Sequence, residues 1–370
     1  MTTVTAKSPK VFRAALIGSG RICEQHMSYL QDSKIATPVA MCDLSPTMAR
    51  FMADRFGVAE TFTDYRAMLD RVQPDVVHIL TPPHTHVRIA NACLESGAHV
   101  ICEKPVAPSR EEFHQLWQLA QDKGLWLVED HNYRFNEPIL AIERLIADGK
   151  LGEVRDVDVR MNLGIRDGGR YADRNLPHPS HQMPAGVVHE FLTHLCYLAL
   201  NFTPPPPNSD QPFDSTSALW RNRGGGDLFK FDDLEAVVTS GLVSARIRFD
   251  CHSKPDGFTV TVRGTKGMAH TDLFQPHVLE FIPRKGPAAL SPVINQRVNG
   301  KILHTAGWTN FWNKVLQKTP YEGLTTFLTR TYDAMSVGQP APVDFAHIDR
   351  AMQLIDSLLE HAKQPAEVEV

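Results

Sequence analysis

The strongest constraint in this chain is an alternation of short apolar runs with helix-like stretches over residues 11–130, opened by a glycine turn. Val11 to Ile17 is an apolar run stopped by Gly18-Ser19-Gly20. A helix-like stretch follows through Ile22 and Met27 to Leu30, and the next run, Val39-Ala40-Met41-Cys42, ends in Asp43. Ser45-Pro46 offers an N-cap and a first-turn proline for another helix. Val76 to Leu80, His99 to Cys102 and Leu125 to Val128 read as further strands, and a helix over 85–96 is closed by Gly97. Strands separated by helices of about 10–15 residues imply a parallel sheet with crossover helices.

Such sheets bind ligands beyond the carboxyl ends of their strands. The residues there are Gly18-Ser19-Gly20-Arg21, Asp43, Thr81-Pro82-Pro83, Glu103-Lys104-Pro105 and Asp130-His131-Asn132. Gly18 permits a tight turn, Gly20 lets the backbone approach a pyrophosphate, and the N–H groups from Arg21 and Ile22 onward point at the phosphates. Cys23 takes the place of a third small residue. Asp43 is positioned to accept hydrogen bonds from an adenosine ribose and would repel a 2′-phosphate, so NAD is the expected cofactor, with NADP left open.

The length of 370 residues favours two domains, read as 1–131 and 132–370. A hydrophobic fraction of 42% and a charged fraction of 22% suit packed cores. The net charge of −4 carries no basic excess for nucleic acid. No apolar run approaches the roughly 20 residues of a membrane span, and the opening MTTVTAKSPK lacks the apolar core of a secretory signal. The six cysteines form no CxxC pair, and several lie in strand-like runs, which fits a cytoplasmic protein with reduced thiols.

The stretch 75–107, DVVHILTPPHTHVRIANACLESGAHVICEKPVA, resembles the glucose–fructose oxidoreductase / inositol dehydrogenase / MocA family. Thr81-Pro82, His86, Gly97 and Glu103-Lys104-Pro105 carry the resemblance, with the glycine turn, Asp43, Asn132-Tyr133-Arg134-Phe135 and the GKLGEV of 149–154. It implies an α/β fold: a Rossmann doubly wound parallel sheet, then an α+β domain on a large, mostly antiparallel open sheet that often forms an oligomer interface, hence a homodimer or homotetramer. The sequence supports that second sheet independently. Val154 to Met161, Ala236 to Gly241, Val243 to Phe249 and Phe258 to Val262 read as strands, with a hairpin-like turn at Gly264-Thr265-Lys266-Gly267. Segment 203–226 reads as a long connection, and Ile348, Met352, Ile355 and Leu359 form the apolar stripe of a terminal helix.

The resemblance implies a nicotinamide-dependent dehydrogenase acting on a CH–OH carbon of a sugar, cyclitol or nucleotide sugar. Thr81, Pro82, His86 and Glu103 join the glycine turn and Asp43 at the cofactor, and Lys104, Asn132, Arg134 and His189 join the substrate. Glu190 and His194 occupy the family's acid and histidine positions, one helical turn apart on one face. Oxidising an alcohol requires a proton acceptor, and a histidine suits that task. A carboxylate can orient its ring, and Lys104 can stabilise developing alkoxide charge. Arg166, Arg170 and Arg174, in a loop with Tyr171, His178 and His181, are candidates for binding an anionic sugar. His189-Glu190 superficially matches HExxH, but the next histidine is out of phase, and no metal is expected. Two other readings stay open: a dinucleotide-binding regulator without turnover, and a dehydrogenase of a non-sugar cyclic substrate.

Overall fold

A computed structural model describes residues 11–363 except 167, 177, 208, 225 and 317–321. The expectation made for the first ten residues lies outside the described ones. The chain divides into two compact units: Met1–Asn132 with Tyr321–Asp349, and Tyr133–Pro320 with Arg350–Val370. The first unit thus ends one residue later than the linear division and takes back a segment that the division left to the second.

The first unit runs β1 (Phe12–Ile17), α1 (Cys23–Asp32), β2 (Ala36–Cys42), α2 (Pro46–Phe56), β3 (Glu60–Phe62), α3 (Tyr65–Val72), β4 (Val76–Ile79), α4 (His86–Glu95), β5 (His99–Cys102), α5 (Arg110–Asp122) and β6 (Leu127–Glu129). All neighbouring strands are parallel, in the order β3-β2-β1-β4-β5-β6. The direction of winding reverses between β1 and β4, which is where an open α/β sheet leaves a crevice. β4 is buried at every position, as a strand covered on both faces requires. α2 begins where expected: the Ser45 hydroxyl accepts from the Met48 N–H, Pro46 follows, and Gly57 closes the helix at φ 71°. The short β3 and α3 were not singled out in the sequence.

The second unit contributes α6 (Glu137–Ala147), β7 (Val154–Asn162), α7 (Val187–Asn201), β8 (Ser215–Arg221), β9 (Asp233–Ser240), β10 (Val243–Asp250), β11 (Gly257–Gly264), β12 (Met268–Asp272), β13 (Leu279–Phe281) and α8 (Ser291–Val315). α9 (Glu322–Val337) returns to the first unit, and α10 (Phe345–Ala362) starts there and ends in the second. The second sheet has the order β13-β12-β11-β7-β10-β9-β8, antiparallel except between β7 and β10. One face is core: Val157, Val159, Ile247, Phe249, Val260 and Val262 are fully buried there with Leu192, Leu195 and Cys196 of α7. The other face is laced with ion pairs, Asp156 with Arg246 and Arg263, and Asp158 with Arg248.

Segment 203–226 is not wholly a connection. It contains β8, an edge strand whose polar start, Ser215-Thr216-Ser217, conceals the period-two signal, and which buries only Trp220. The Trp220 indole donates to the Leu358 carbonyl at 2.9 Å, inside the second unit. The six cysteines are unpaired and buried. Among the described residues no helix is long and apolar enough to cross a membrane.

Candidate active site

In the first unit the glycine turn is pressed against the end of β4. Gly18 has φ +104°, and a Cβ there would lie 2.7 Å from the Leu80 carbonyl oxygen. Around Gly20 the space is open. Asp43 accepts from the Ser19 N–H at 2.7 Å through one oxygen and from the Ser45 N–H at 2.8 Å through the other. It therefore ties the glycine turn to the loop after β2 while keeping lone pairs for a ribose. Among the described residues the buried Ser19 hydroxyl has no hydrogen-bond partner, and Ile22 at the N-cap of α1 offers no side-chain acceptor to the helix N–H groups. An unsatisfied hydroxyl and an uncapped helix start are the donors an anion needs, so these residues fit a dinucleotide pyrophosphate. Arg21 is exposed beside them.

His86, expected at the cofactor, has both ring nitrogens on backbone carbonyls. It is fully buried, with Nδ1 at 2.7 Å from the Pro105 carbonyl and Nε2 at 2.7 Å from the Thr81 carbonyl. Both nitrogens brace backbone, so His86 holds the Thr81-Pro82 turn and the Lys104-Pro105 turn at a fixed separation. Thr81 is held further by Thr85, hydroxyl to hydroxyl at 2.6 Å.

A buried polar chain that the sequence reading did not assemble lies behind Glu103. His26 Nδ1 is 2.8 Å from His78 Nδ1, and His78 Nε2 is 2.8 Å from the Tyr332 hydroxyl. His26 Nε2 stands 4.0 Å from Glu103. Burial alone would raise the Glu103 pKa, but His26, with Lys104 and His86, brings it below the ordinary value. Asp130 moves the opposite way, well up, through burial first and then the Glu103 charge. The two close carboxyls are thus driven in opposite directions, Glu103 toward its ionised form and Asp130 toward its neutral one. The ligating atoms of His26, Glu103 and Asp130 come within 4.8 Å of one another. Glu129 supports the rim, accepting from the Val106 N–H at 2.6 Å and pairing with His131 at 2.7 Å.

In the second unit, Gly186 at φ +61° turns the chain into α7. His189, Glu190 and His194 are all partly exposed on this otherwise apolar helix. The Tyr171 hydroxyl donates to Glu190 at 2.9 Å, the Arg170 guanidinium lies 3.5 Å from the same oxygen, and His178 lies 3.5 Å from the other. Burial lowers the His178 pKa. Arg170 also stacks on the Tyr171 ring at 4.6 Å. Glu190 is thus gathered into the 166–182 loop. His194 instead has Nδ1 at 2.9 Å from the Tyr197 hydroxyl, and the edge of Tyr133 against its ring at 4.9 Å between centroids. Tyr197, one turn along α7, was missed because tyrosine in an apolar helix reads as core. Arg134 donates to Asn201 at 2.9 Å within this unit, and Arg166 lies 2.9 Å from His252. Asn132, in the first unit, is buried.

Residues 12–131 match the family model of the Gfo/Idh/MocA oxidoreductases, described as an oxidoreductase family with an NAD-binding Rossmann fold. The match spans the strands and helices from β1 to β6. Among curated proteins the chain is similar to D-glucoside 3-dehydrogenase of Escherichia coli, 31% identical over 179 residues, 48% of this chain and 50% of that protein. It is also similar to levoglucosan dehydrogenase of Pseudarthrobacter phenanthrenivorans, 34% identical over 121 residues, 32% of this chain and 31% of that one. These alignments span half or less of the length of the relatives. The fold extends further: a solved levoglucosan dehydrogenase, in complex with NADH and levoglucosan, has a TM-score of 0.76 over 96% of this chain and 97% of that one, at 18% identity. The matched family is described as NAD-binding, in line with the cofactor expected from Asp43.

Proposed function

We propose that the protein is an NAD-dependent dehydrogenase that oxidises a CH–OH group of a sugar, cyclitol or nucleotide sugar. The observation that carries the reading is the Asp43–Ser19 tie, which sets an acid for a ribose beside a glycine turn with unsatisfied donors, in a domain whose family is NAD-binding. The names of the sugar dehydrogenases to which parts of the chain are similar support the substrate class.

NAD, held by Gly18, Ser19, Gly20, the start of α1 and Asp43, supplies the hydride acceptor when bound. Lys104 holds the reacting oxygen and stabilises its developing negative charge. His194 takes the hydroxyl proton as the hydride leaves the same carbon, so one C–H and one O–H bond break. Tyr197 positions the ring through Nδ1. Glu190, Arg170 and His189 are assigned to substrate hydroxyls, as are Arg134 and Asn132. The unpaired thiols support a reducing, cytoplasmic setting. The reading is tested with Lys104→Met and His194→Ala. Each is expected to retain NAD binding while losing about 100-fold or more in turnover. Full turnover in both would remove the assignment.

A further inference from the structure

A neutral histidine ring has one nitrogen that donates and one that accepts. His78 can meet that pattern, because its partners are the Tyr332 hydroxyl and the His26 ring, and each of them can do either. His86 cannot. Its Nδ1 lies 2.7 Å from the Pro105 carbonyl oxygen and its Nε2 lies 2.7 Å from the Thr81 carbonyl oxygen, and a carbonyl oxygen only accepts. A neutral ring would aim one lone pair at an oxygen lone pair across that distance, at a residue that is 0% exposed. With a proton on each nitrogen, both contacts become hydrogen bonds. Their length also falls in the range of about 2.7–2.9 Å for charge-assisted bonds, below the mode of about 2.9–3.0 Å for neutral N–H···O bonds.

We propose that His86 is an imidazolium strut, a positioning residue that joins the Thr81-Pro82 turn to the Lys104-Pro105 turn through two charged donors, with Glu103 as its counter-ion. Two features oppose the charge. The ring is out of water, and His86 is the first residue of α4, at the positive end of the helix dipole. Three acceptors offset them. Two are the carbonyl oxygens of Thr81 and Pro105, and the prolines in these turns bring no N–H to compete for them. The third is the Glu103 carboxylate. Burial works to raise the Glu103 pKa, and the groups that bring it below the ordinary value are His26, then Lys104 and His86. Each strut has its own task. Nε2 serves the turn expected at the cofactor, and Nδ1 serves the backbone that carries Lys104. That division of tasks rests on the reading that Lys104 holds the reacting oxygen; the protonation state of the ring does not.

The first measurement needs neither substrate nor variant: side-chain proton–nitrogen correlation spectra of the wild-type chain at neutral pH, with His86 assigned through its own backbone. Both ring nitrogens of His86 are expected to carry a slowly exchanging proton, while His78 shows one protonated nitrogen and one bare. A bare nitrogen on His86 would overturn the proposal, whatever the protein turns over. The second measurement separates the two struts. A glutamine amide reaches the place of Nε2 and an asparagine amide that of Nδ1, so His86→Gln keeps the donor to Thr81 and His86→Asn keeps the donor to Pro105. Loss of a hydrogen bond from a charged donor costs about 10-fold or more. In His86→Asn that loss is expected chiefly in NAD affinity, and in His86→Gln chiefly in kcat. Losses of the same kind and size in both folded variants would make His86 a packing residue and overturn the strut. A wild type that binds NAD without turning over any alcohol would remove the dehydrogenase reading instead, and the spectra would still decide the charge on His86.

Discussion

The Tyr197 hydroxyl lies 2.9 Å from Nδ1 of His194 and accepts the Tyr133 N–H at 3.3 Å. The phenol is anchored on one side by backbone and meets the imidazole on the other, so it fixes the ring plane and decides which nitrogen faces outward as the base. Tyr197→Phe keeps the volume and removes the hydrogen bond. It is expected to lower kcat roughly 10-fold with little change in KM, and to shift the limb of the pH–rate profile that reports His194. An unchanged profile would assign Tyr197 to packing alone.

The two glycines of the turn are expected to fail differently. At Gly18 an alanine meets both the φ of +104° and the Leu80 carbonyl, so Gly18→Ala should destabilise the first unit by about 2 kcal/mol or more, read as a fall in its melting temperature. Gly20 has open space, so Gly20→Ala should leave the melting temperature nearly unchanged and weaken NAD binding, read by quenching of NADH fluorescence.

Asp43 accepts two backbone N–H groups, which bears on cofactor choice. Asp43→Ser is expected to weaken NAD binding about 10-fold and to narrow the preference for NAD over NADP, because the acid that repels a 2′-phosphate is gone. Paired titrations with both cofactors measure it; a preference unchanged in sign and size would leave Asp43 only its structural tie.

His78 makes stability sensitive to acid. Burial, and then the neighbouring His26, hold its pKa well below the ordinary value, while the unfolded histidine titrates normally. Below that unfolded value the unfolded state binds a proton that the folded state refuses, so stability is lost as pH falls. The slope is about 1.4 kcal/mol per pH unit. The urea midpoint of the first unit should drop between neutral pH and mild acid, and His78→Gln should flatten that dependence whatever it does to the midpoint at neutral pH.

Arg170 is the anion-facing candidate on the 166–182 loop, with its side chain 56% exposed beside Glu190. Arg170→Ala should raise KM for a uronic acid or nucleotide sugar about 10-fold and leave KM for a neutral sugar unchanged. Equal effects on both would make it a prop for Tyr171.

Much of this was legible because it was local. The glycine turn, Asp43 and Ser45-Pro46 announce β1, β2 and α2 by turn and cap chemistry, and the alternation in Phe258, Val260 and Val262 announces β11. What escaped was set by tertiary partners. His26, His78 and Tyr332 meet only after β4, α1 and α9 have packed, and no spacing joins 26 to 332. β8 hid behind a polar start because an edge strand buries little. Helical spacing put Glu190 and His194 on one face, but that Tyr171 would bond to the first and Tyr197 to the second was set by the loop and by the next turn of the helix.

The central claim is hydride transfer to NAD from a CH–OH carbon, and the direct measurement is nicotinamide absorbance with purified protein, NAD and a panel of sugars, cyclitols and nucleotide sugars. The account predicts NADH formation with at least one of them, lost in His194→Ala and faster with NAD than with NADP. Tight NAD binding with no absorbance change across the panel, in either direction, would contradict it and leave the protein a dinucleotide-binding regulator.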